Sequence, residues 1–367
     1  MNKEYMFKPT FGNKPPQIIG RDKVIENFYD GLEGGPGHPE RAIFLIGQRG
    51  MGKTALLLEF AERAATMDFI AVRVTAGERM LDEILQIIQT NGEKFVRKRK
   101  KDVKSISAGA FGFSVGLNFT EETVQNYGFR IKFTMLVDEI SKCGKGILLL
   151  IDEVTGAVPE MRELAITYQH LVGENKNIAV TMAGLPEAIS AVLNDDVLTF
   201  LNRARKVALD PISLSDIKIY YMECFNELEI KISRNRLEKA VNATRGYPYL
   251  FQLIGYYLVK YAGINKSVDD DILSMAIESS KQDLIDNIYK PCLRGLSEKD
   301  IEFLKIMSEN DGDSTTIDIM KRMGVTQSYA QQYRKRLIEA GVVSSEKRGH
   351  LTITIPFLSE YLFKNDF

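Results

Sequence analysis

"GQRGMGKT", Gly47 to Thr54, stands between the apolar run "AIFLI" (42–46) and the amphipathic stretch "ALLLEFAERAATM" (55–67). The eight residues match G-x-x-x-x-G-K-[ST] in full, between a strand and a helix, which is where such a loop works. Gly47, Gly50 and Gly52 let the backbone curl around phosphates. The N–H groups of Gln48, Arg49, Met51 and Ala55, with the N-terminal dipole of the following helix, favour an anion there. Lys53 is placed to reach the β- and γ-phosphates, and the Thr54 hydroxyl to hold Mg²⁺. The loop therefore predicts ATP with Mg²⁺.

Working outward, "FIAVRVTA" (69–76), "GILLLIDEV" (146–154), "NIAVTMAG" (177–184) and "KVALD" (206–210) read as further buried strands joined by helices. That pattern predicts a parallel sheet covered on both faces. "LLLIDEV" puts two carboxylates at the C-terminal edge of a strand, where open α/β sheets bind ligands. Asp152 is expected to hold Mg²⁺, and Glu153 to orient or deprotonate the attacking water. An insertion, 77–145, separates the second and third strands, with helices expected over 79–101 and 121–142. From Pro211 the strand signals stop, and helices opening at Ser213 and ending at Gly residues predict a small helical domain. From "GLSEKDIEFLKIMSEND" onward the order helix, helix-turn-helix, β-hairpin is that of a winged helix. The expected class is α/β: a P-loop NTPase parallel sheet (1–210), a helical lid domain (211–293) and a C-terminal winged-helix domain (294–367).

Together "GQRGMGKT" and "LLLIDEV" resemble the Walker A and Walker B pair of AAA+ and STAND P-loop ATPases, archaeal-type ATPases among them. "IIGRDKVIENFYDGL" (18–32) is similar to a segment that packs near adenine in origin-recognition initiators and STAND ATPases. The resemblance implies Ile18, Ile19, Gly20 and Arg21 on the base side, with Pro248 of "TRGYPYL" near them. It implies Thr181 as a sensor-1 residue and Arg203 or Arg205 as an arginine finger, often supplied by a neighbouring subunit. The sensor-2 arginine of AAA+ proteins is not evident, and Arg245 lies just ahead of the helix where one belongs.

The chain's 367 residues are 44% hydrophobic and 26% charged, as in globular proteins with real cores, and the net charge of −1 excludes a global basic field. Cys143, Cys224 and Cys292 share no metal spacing and read as reduced thiols. No signal or membrane-spanning run appears, so a soluble cytoplasmic protein is expected. Any nucleic-acid affinity must be local. In 321–350 seven cations (Lys321, Arg322, Arg334, Lys335, Arg336, Lys347, Arg348) face only Glu339 and Glu346, which suits double-stranded DNA. On "TQSYAQQYRKRLIEAG", Tyr329, Tyr333, Leu337 and Ile338 are expected in the core, and Gln327, Ser328, Gln331, Gln332 and Lys335 outside. A second basic cluster, "KFVRKRKKDVK" (94–104), precedes Phe111, Phe113, Val115, Leu117 and Phe119, which alternate. It reads either as a grip on nucleic acid or, more plainly, as a solvated helix end before a half-buried hairpin. Two functions follow: an ATP-dependent switch that binds DNA through the winged helix, or an ATP-driven oligomerising scaffold whose winged helix contacts protein. A small-molecule kinase is least favoured, because the acid pair suits attack by water.

Overall fold

Strands that are apolar along their whole length must hide both faces, and here helices cover them. The computed structural model describes residues 6–10, 12–102, 113–115, 117–310, 312–345 and 349–364. The chain forms two units, one of residues 21–47 and 53–209, the other of residues 1–20, 48–52 and 210–367.

In the first unit α1 (Asp22–Glu33) leads to β1 (Ala42–Ile46), α2 (Lys53–Thr66) and β2 (Phe69–Thr75). The insertion follows as α3 (Met80–Asp102), β3 (Phe113–Val115), β4 (Asn118–Phe119), α4 (Glu121–Asn126) and α5 (Phe129–Lys142). Then come β5 (Gly146–Val154), α6 (Pro159–Gly173), β6 (Ile178–Gly184), α7 (Pro186–Leu193) and β7 (Arg205–Ala208). β1, β2, β5, β6 and β7 form one parallel sheet in the order β2-β5-β6-β1-β7. Ile147 to Ile151 are fully buried at its centre. The expected helix over 121–142 is two helices. Tyr127 is extended and Gly128 caps α5, a break that turns Phe129, Phe133, Leu136, Val137 and Ile140 into the core. β3 and β4 form the expected hairpin, and Leu117 is buried between them. Phe111 lies outside the described residues, as do Val103 and Lys104 of the basic run.

One buried cation ties this unit together. The Arg41 guanidinium donates to the carbonyls of Gly31 (2.9 Å) and Leu32 (2.6 Å) at the end of α1, and to Asn177 Oδ1 (2.7 Å) beside β6. It also lies over the Phe69 ring, 5.3 Å from its centroid. Helix-terminal carbonyls need partners, and a planar fork satisfies two at once.

The second unit contains α8 (Leu214–Glu227), β8 (Lys231–Ile232), α9 (Arg234–Ala243), α10 (Pro248–Ala262), β9 (Ser267–Val268) and α11 (Asp270–Leu284). A π turn over Ile285–Tyr289 joins α11 to α12 (Lys290–Arg294), where Pro291 lacks the N–H that an α-helix would use. Strands therefore do not stop at Pro211: β8 and β9 pair in parallel, too short to show as periodicity. Ser213 caps α8 by accepting from the Asp216 N–H. Phe7 from the chain's start packs edge-on among Tyr220, Tyr221 and Phe251, against Gly255, where a Cβ would lie 2.3 Å from its ring.

The remaining elements are α13 (Glu298–Ser308), β10 (Asp313–Thr315), α14 (Thr316–Met323), α15 (Gln327–Glu339), β11 (Val343–Ser344), β12 (His350–Ile353) and α16 (Leu358–Lys364). Ser297 and Asp300 close a capping box on α13. The three strands form an antiparallel sheet ordered β10-β12-β11. β10 and α16 were not expected from the sequence. Among the described residues no helix is long and apolar enough to cross a membrane.

Arg41→Ala should strand two buried carbonyls and lower the unfolding free energy of the first unit by about 2–4 kcal/mol, read by urea denaturation. Arg41→Lys should restore less than half, because an ammonium lacks the fork.

Candidate nucleotide site

The loop's geometry follows from its glycines. Gly50 (φ 76°) and Gly52 (φ 85°) lie in the left-handed region that other residues avoid. The Gly47 N–H donates to Gly184 O (3.3 Å), which ties the loop's start to the end of β6. α2 begins at Lys53, two residues earlier than expected, so Lys53, Thr54 and Ala55 form its first turn. The Lys53 ammonium donates to Gly47 O at 2.7 Å, folding the side chain back along the loop.

Asp152 sits near the C-terminal end of β5 and is buried. Its carboxylate is held at both oxygens: the Thr54 hydroxyl donates to Oδ2 (2.8 Å) and the Glu153 N–H to Oδ1 (2.9 Å). The β5–β6 ladder breaks register between Ile151 and Val154, and Glu153 takes φ 53°. Bulges of this kind re-aim a side chain next to a site. Here the result is one acid facing the loop and the next exposed to solvent.

Other anticipated residues fall elsewhere. Thr181 is 1% exposed in the middle of β6, opposite Ile43 and Leu150. Towards the strand's end Met182 pairs with Ile151 and Gly184 with Val154, and Ala183 and Gly184 carry no polar side chain. Arg205 opens β7 opposite Ile43, at the sheet end remote from the loop, and pairs with Glu40 (3.4 Å). Arg203 precedes it on an exposed turn. Ile19 is buried, Ile18 is half-buried, and Gly20 (φ 65°) lies against Ile212. Arg21 caps α1 and accepts from the Val24 and Ile25 N–H groups through its carbonyl. Pro248 is the first residue of α10. Arg245 is committed to the C-terminal segment, with Glu360 at 2.7 Å and the Phe357 ring centroid at 3.8 Å.

Two groups carry no signal in the sequence. Tyr247, inside "TRGYPYL", is buried and its hydroxyl donates to Arg49 O at 2.6 Å. Glu187, three residues past β6, has a buried Oε2 without a hydrogen-bond partner among the described residues. Burial raises its pKa above the usual glutamate range. Neither has a periodic or motif signature.

On α15, Gln327, Ser328, Gln331, Gln332 and Lys335 are exposed. Tyr329 is not core: it is 55% exposed and stacks on half-buried Tyr333, while Ala330, Leu337 and Ile338 are buried. The true apolar stripe is one residue out of phase with the tyrosines. The positive patch is also smaller than its count, because α13 supplies acids from outside the window. Arg336 pairs with buried Asp300 (2.8 Å), and Arg322 with Glu309. Arg334 donates to Ser345 (2.8 Å). Lys347 and Arg348 lie outside the described residues.

A five-stranded parallel sheet with a GKT loop after β1 and an acid at the end of β5 defines a P-loop NTPase, and the chain is an ATPase. It belongs to the family described as "ATPase domain predominantly from Archaea", which matches residues 20–254. Residues 286–362 match a second family, described as a domain of unknown function. No curated protein matches the chain in sequence. Among solved structures, the Walker-type ATPase PABY2304 of Pyrococcus abyssi is similar with a TM-score of 0.67 at 16% identity, over 95% of this chain and 97% of that one. The Aeropyrum pernix ORC2 protein, in ADPNP-ADP complexes, gives 0.63 at 15% identity, over 98% and 96%. Cdc6p from Pyrobaculum aerophilum gives 0.50 at 14%, over 97% and 95%. At these identities the likeness speaks for the fold.

Because the Glu187 pKa is raised, folding is favoured below the ordinary glutamate range and loses that support as pH climbs through the raised value. Glu187→Gln should therefore raise the melting temperature at neutral pH relative to wild type, and the gain should vanish in mild acid. A gain of equal size at both pH values would contradict this.

Proposed function

We propose that the chain is an AAA+/STAND-type switch that binds and hydrolyses ATP and engages duplex DNA through a winged helix at 294–367. The observation that carries the nucleotide half is the Thr54–Asp152 hydrogen bond, which unites the two motifs across 98 positions of sequence. Backbone N–H groups of the loop between Gly47 and Ala55 bind the phosphates, and Lys53 turns from Gly47 O to the γ-phosphate. The Thr54 hydroxyl and Asp152 carboxylate are hard oxygen donors already side by side, a set that fits Mg²⁺. When bound, the ion neutralises charge on the phosphoryl oxygens. Glu153, solvent-facing beside Asp152, orients the attacking water. Ile18, Ile19, Gly20, Arg21 and Pro248 remain the base-side set. Arg203 and Arg205 are suited only to a site on a second copy of the chain, since both lie at the far end of the sheet.

The DNA half is supported by the C-terminal order α13, β10, α14, α15, β11, β12 and by the exposed row Gln327, Ser328, Gln331, Gln332 and Lys335 on α15. Glutamine can read adenine edges, and lysine can contact phosphate or guanine. One observation favours the second reading, a scaffold whose winged helix meets protein. Tyr329 and Ile317 are both largely exposed, and Arg322 and Arg336 are already paired.

Lys53→Ala should abolish ATP binding in a calorimetric titration. Glu153→Gln should bind ATP with unchanged affinity and lose at least tenfold in turnover. Equal turnover would remove Glu153 from the mechanism.

Duplex binding, followed by fluorescence anisotropy, should weaken steeply with salt. Neutralising Arg334, Lys335 and Lys347 should cut the log–log slope by about 0.9 for each phosphate that those cations would otherwise neutralise. Binding that ignores salt, or none with or without ATP, would favour the protein-contact reading.

A further inference from the structure

The phosphate loop's central peptide is hydrogen-bonded by one phenol. Gln48–Gly52 belong to the same unit as α10, and Tyr247 lies against them. Its hydroxyl donates to Arg49 O at 2.6 Å, and a Cβ on Gly50 would fall 2.1 Å from the phenol oxygen of Tyr247. Tyr247 is itself fixed. Its N–H donates to Thr244 O (2.9 Å), and the Gly246 N–H donates to the Thr244 hydroxyl (3.1 Å). Gly246 (φ 73°) is so close to the Ile212 carbonyl that a Cβ would lie 2.5 Å from it. In the other direction, the Ile212 N–H donates to Gly246 O at 2.8 Å.

The consequence follows from peptide geometry. In a trans peptide the carbonyl and the next N–H point to opposite sides of the chain. Among the described residues no cis peptide is present, so anchoring Arg49 O on the phenol points the Gly50 N–H away from Tyr247. We propose that Tyr247 is a positioning residue for the phosphate loop, presetting the Gly50 N–H as a donor to a nucleotide phosphate. This rests on the ATP reading above. Burial raises the phenol's pKa, so it stays protonated and remains a donor across the pH range in which proteins work. The gain is preorganisation: a donor already aimed need not be ordered when the anion arrives. It also explains why Gly50 tolerates no side chain on two separate grounds, its left-handed φ and the phenol beside it.

The test uses the full-length protein with ADP and ATP as probes. Tyr247→Phe keeps the ring and deletes the bond. ADP affinity by calorimetry should fall about five- to tenfold, the range one hydrogen bond represents. KM for ATP should rise by a similar factor, and kcat should fall by less. In protein labelled with ¹⁵N-glycine, the Gly50 amide resonance of the nucleotide-free variant should shift, which a general loss of packing would not confine to that residue. Equal or tighter ADP binding by Tyr247→Phe, with wild type binding normally, would overturn the inference. If wild type itself bound no nucleotide, the ATP reading would fail and this inference with it. Should the variant melt early, Kd measured well below its melting temperature decides the matter.

Discussion

The Thr54 hydroxyl bonded to the Asp152 carboxylate is the interaction on which the site depends. Nothing local brings these residues together. β5 must lie two strands from β1 with β6 between them, and every strand must point the same way, so that their C-terminal ends share one edge. Parallel pairing requires long crossovers, and right-handed crossovers lay helices on both faces. The apolar uniformity of the strands is therefore the other side of the same constraint. A charge anywhere in Ile147–Ile151 would be buried without a partner, and the edge would lose its acid.

At that edge the backbone does more than the side chains. Two left-handed glycines shape the loop, Lys53, Thr54 and Ala55 form the first turn of α2, and a register break leaves Asp152 buried and Glu153 exposed. Anion recognition by oriented amides suits a triphosphate, because the dipoles are fixed before the charge arrives. The same economy recurs elsewhere: Arg41 caps a helix end with one side chain, and Tyr247 holds one loop carbonyl.

Much of this was legible in the linear chain. The loop, its flanking strand and helix, and the acid pair are contiguous motifs whose residue types follow from phosphate chemistry. The central strands β1, β5 and β6 showed as apolar runs because burial on both faces leaves no alternation, whereas the edge strands β2 and β7 keep exposed positions. What escaped was set by distant partners. The tyrosines of α15 looked like core because they share helical spacing with Leu337 and Ile338, yet Ala330 took the buried position. The positive count of 321–350 looked larger than it is, because Asp300 and Glu309 lie outside the window. Thr181, implied as a sensor by the resemblance, lies in mid-strand opposite Ile43 and Leu150, while Gly184 pairs with Val154 at the strand's end.

By itself the sequence determined a phosphate-binding loop, an acid to face it and the α/β class, since each is written in neighbouring residues under local steric and electrostatic rules. Only the tertiary structure decided which polar groups meet: that Asp152 accepts from Thr54, that Arg205 belongs to Glu40, and that Tyr247 reaches Arg49. Those pairings depend on strand order, register and helix placement, and a chain of local preferences carries no distances between residues 98 or more positions apart.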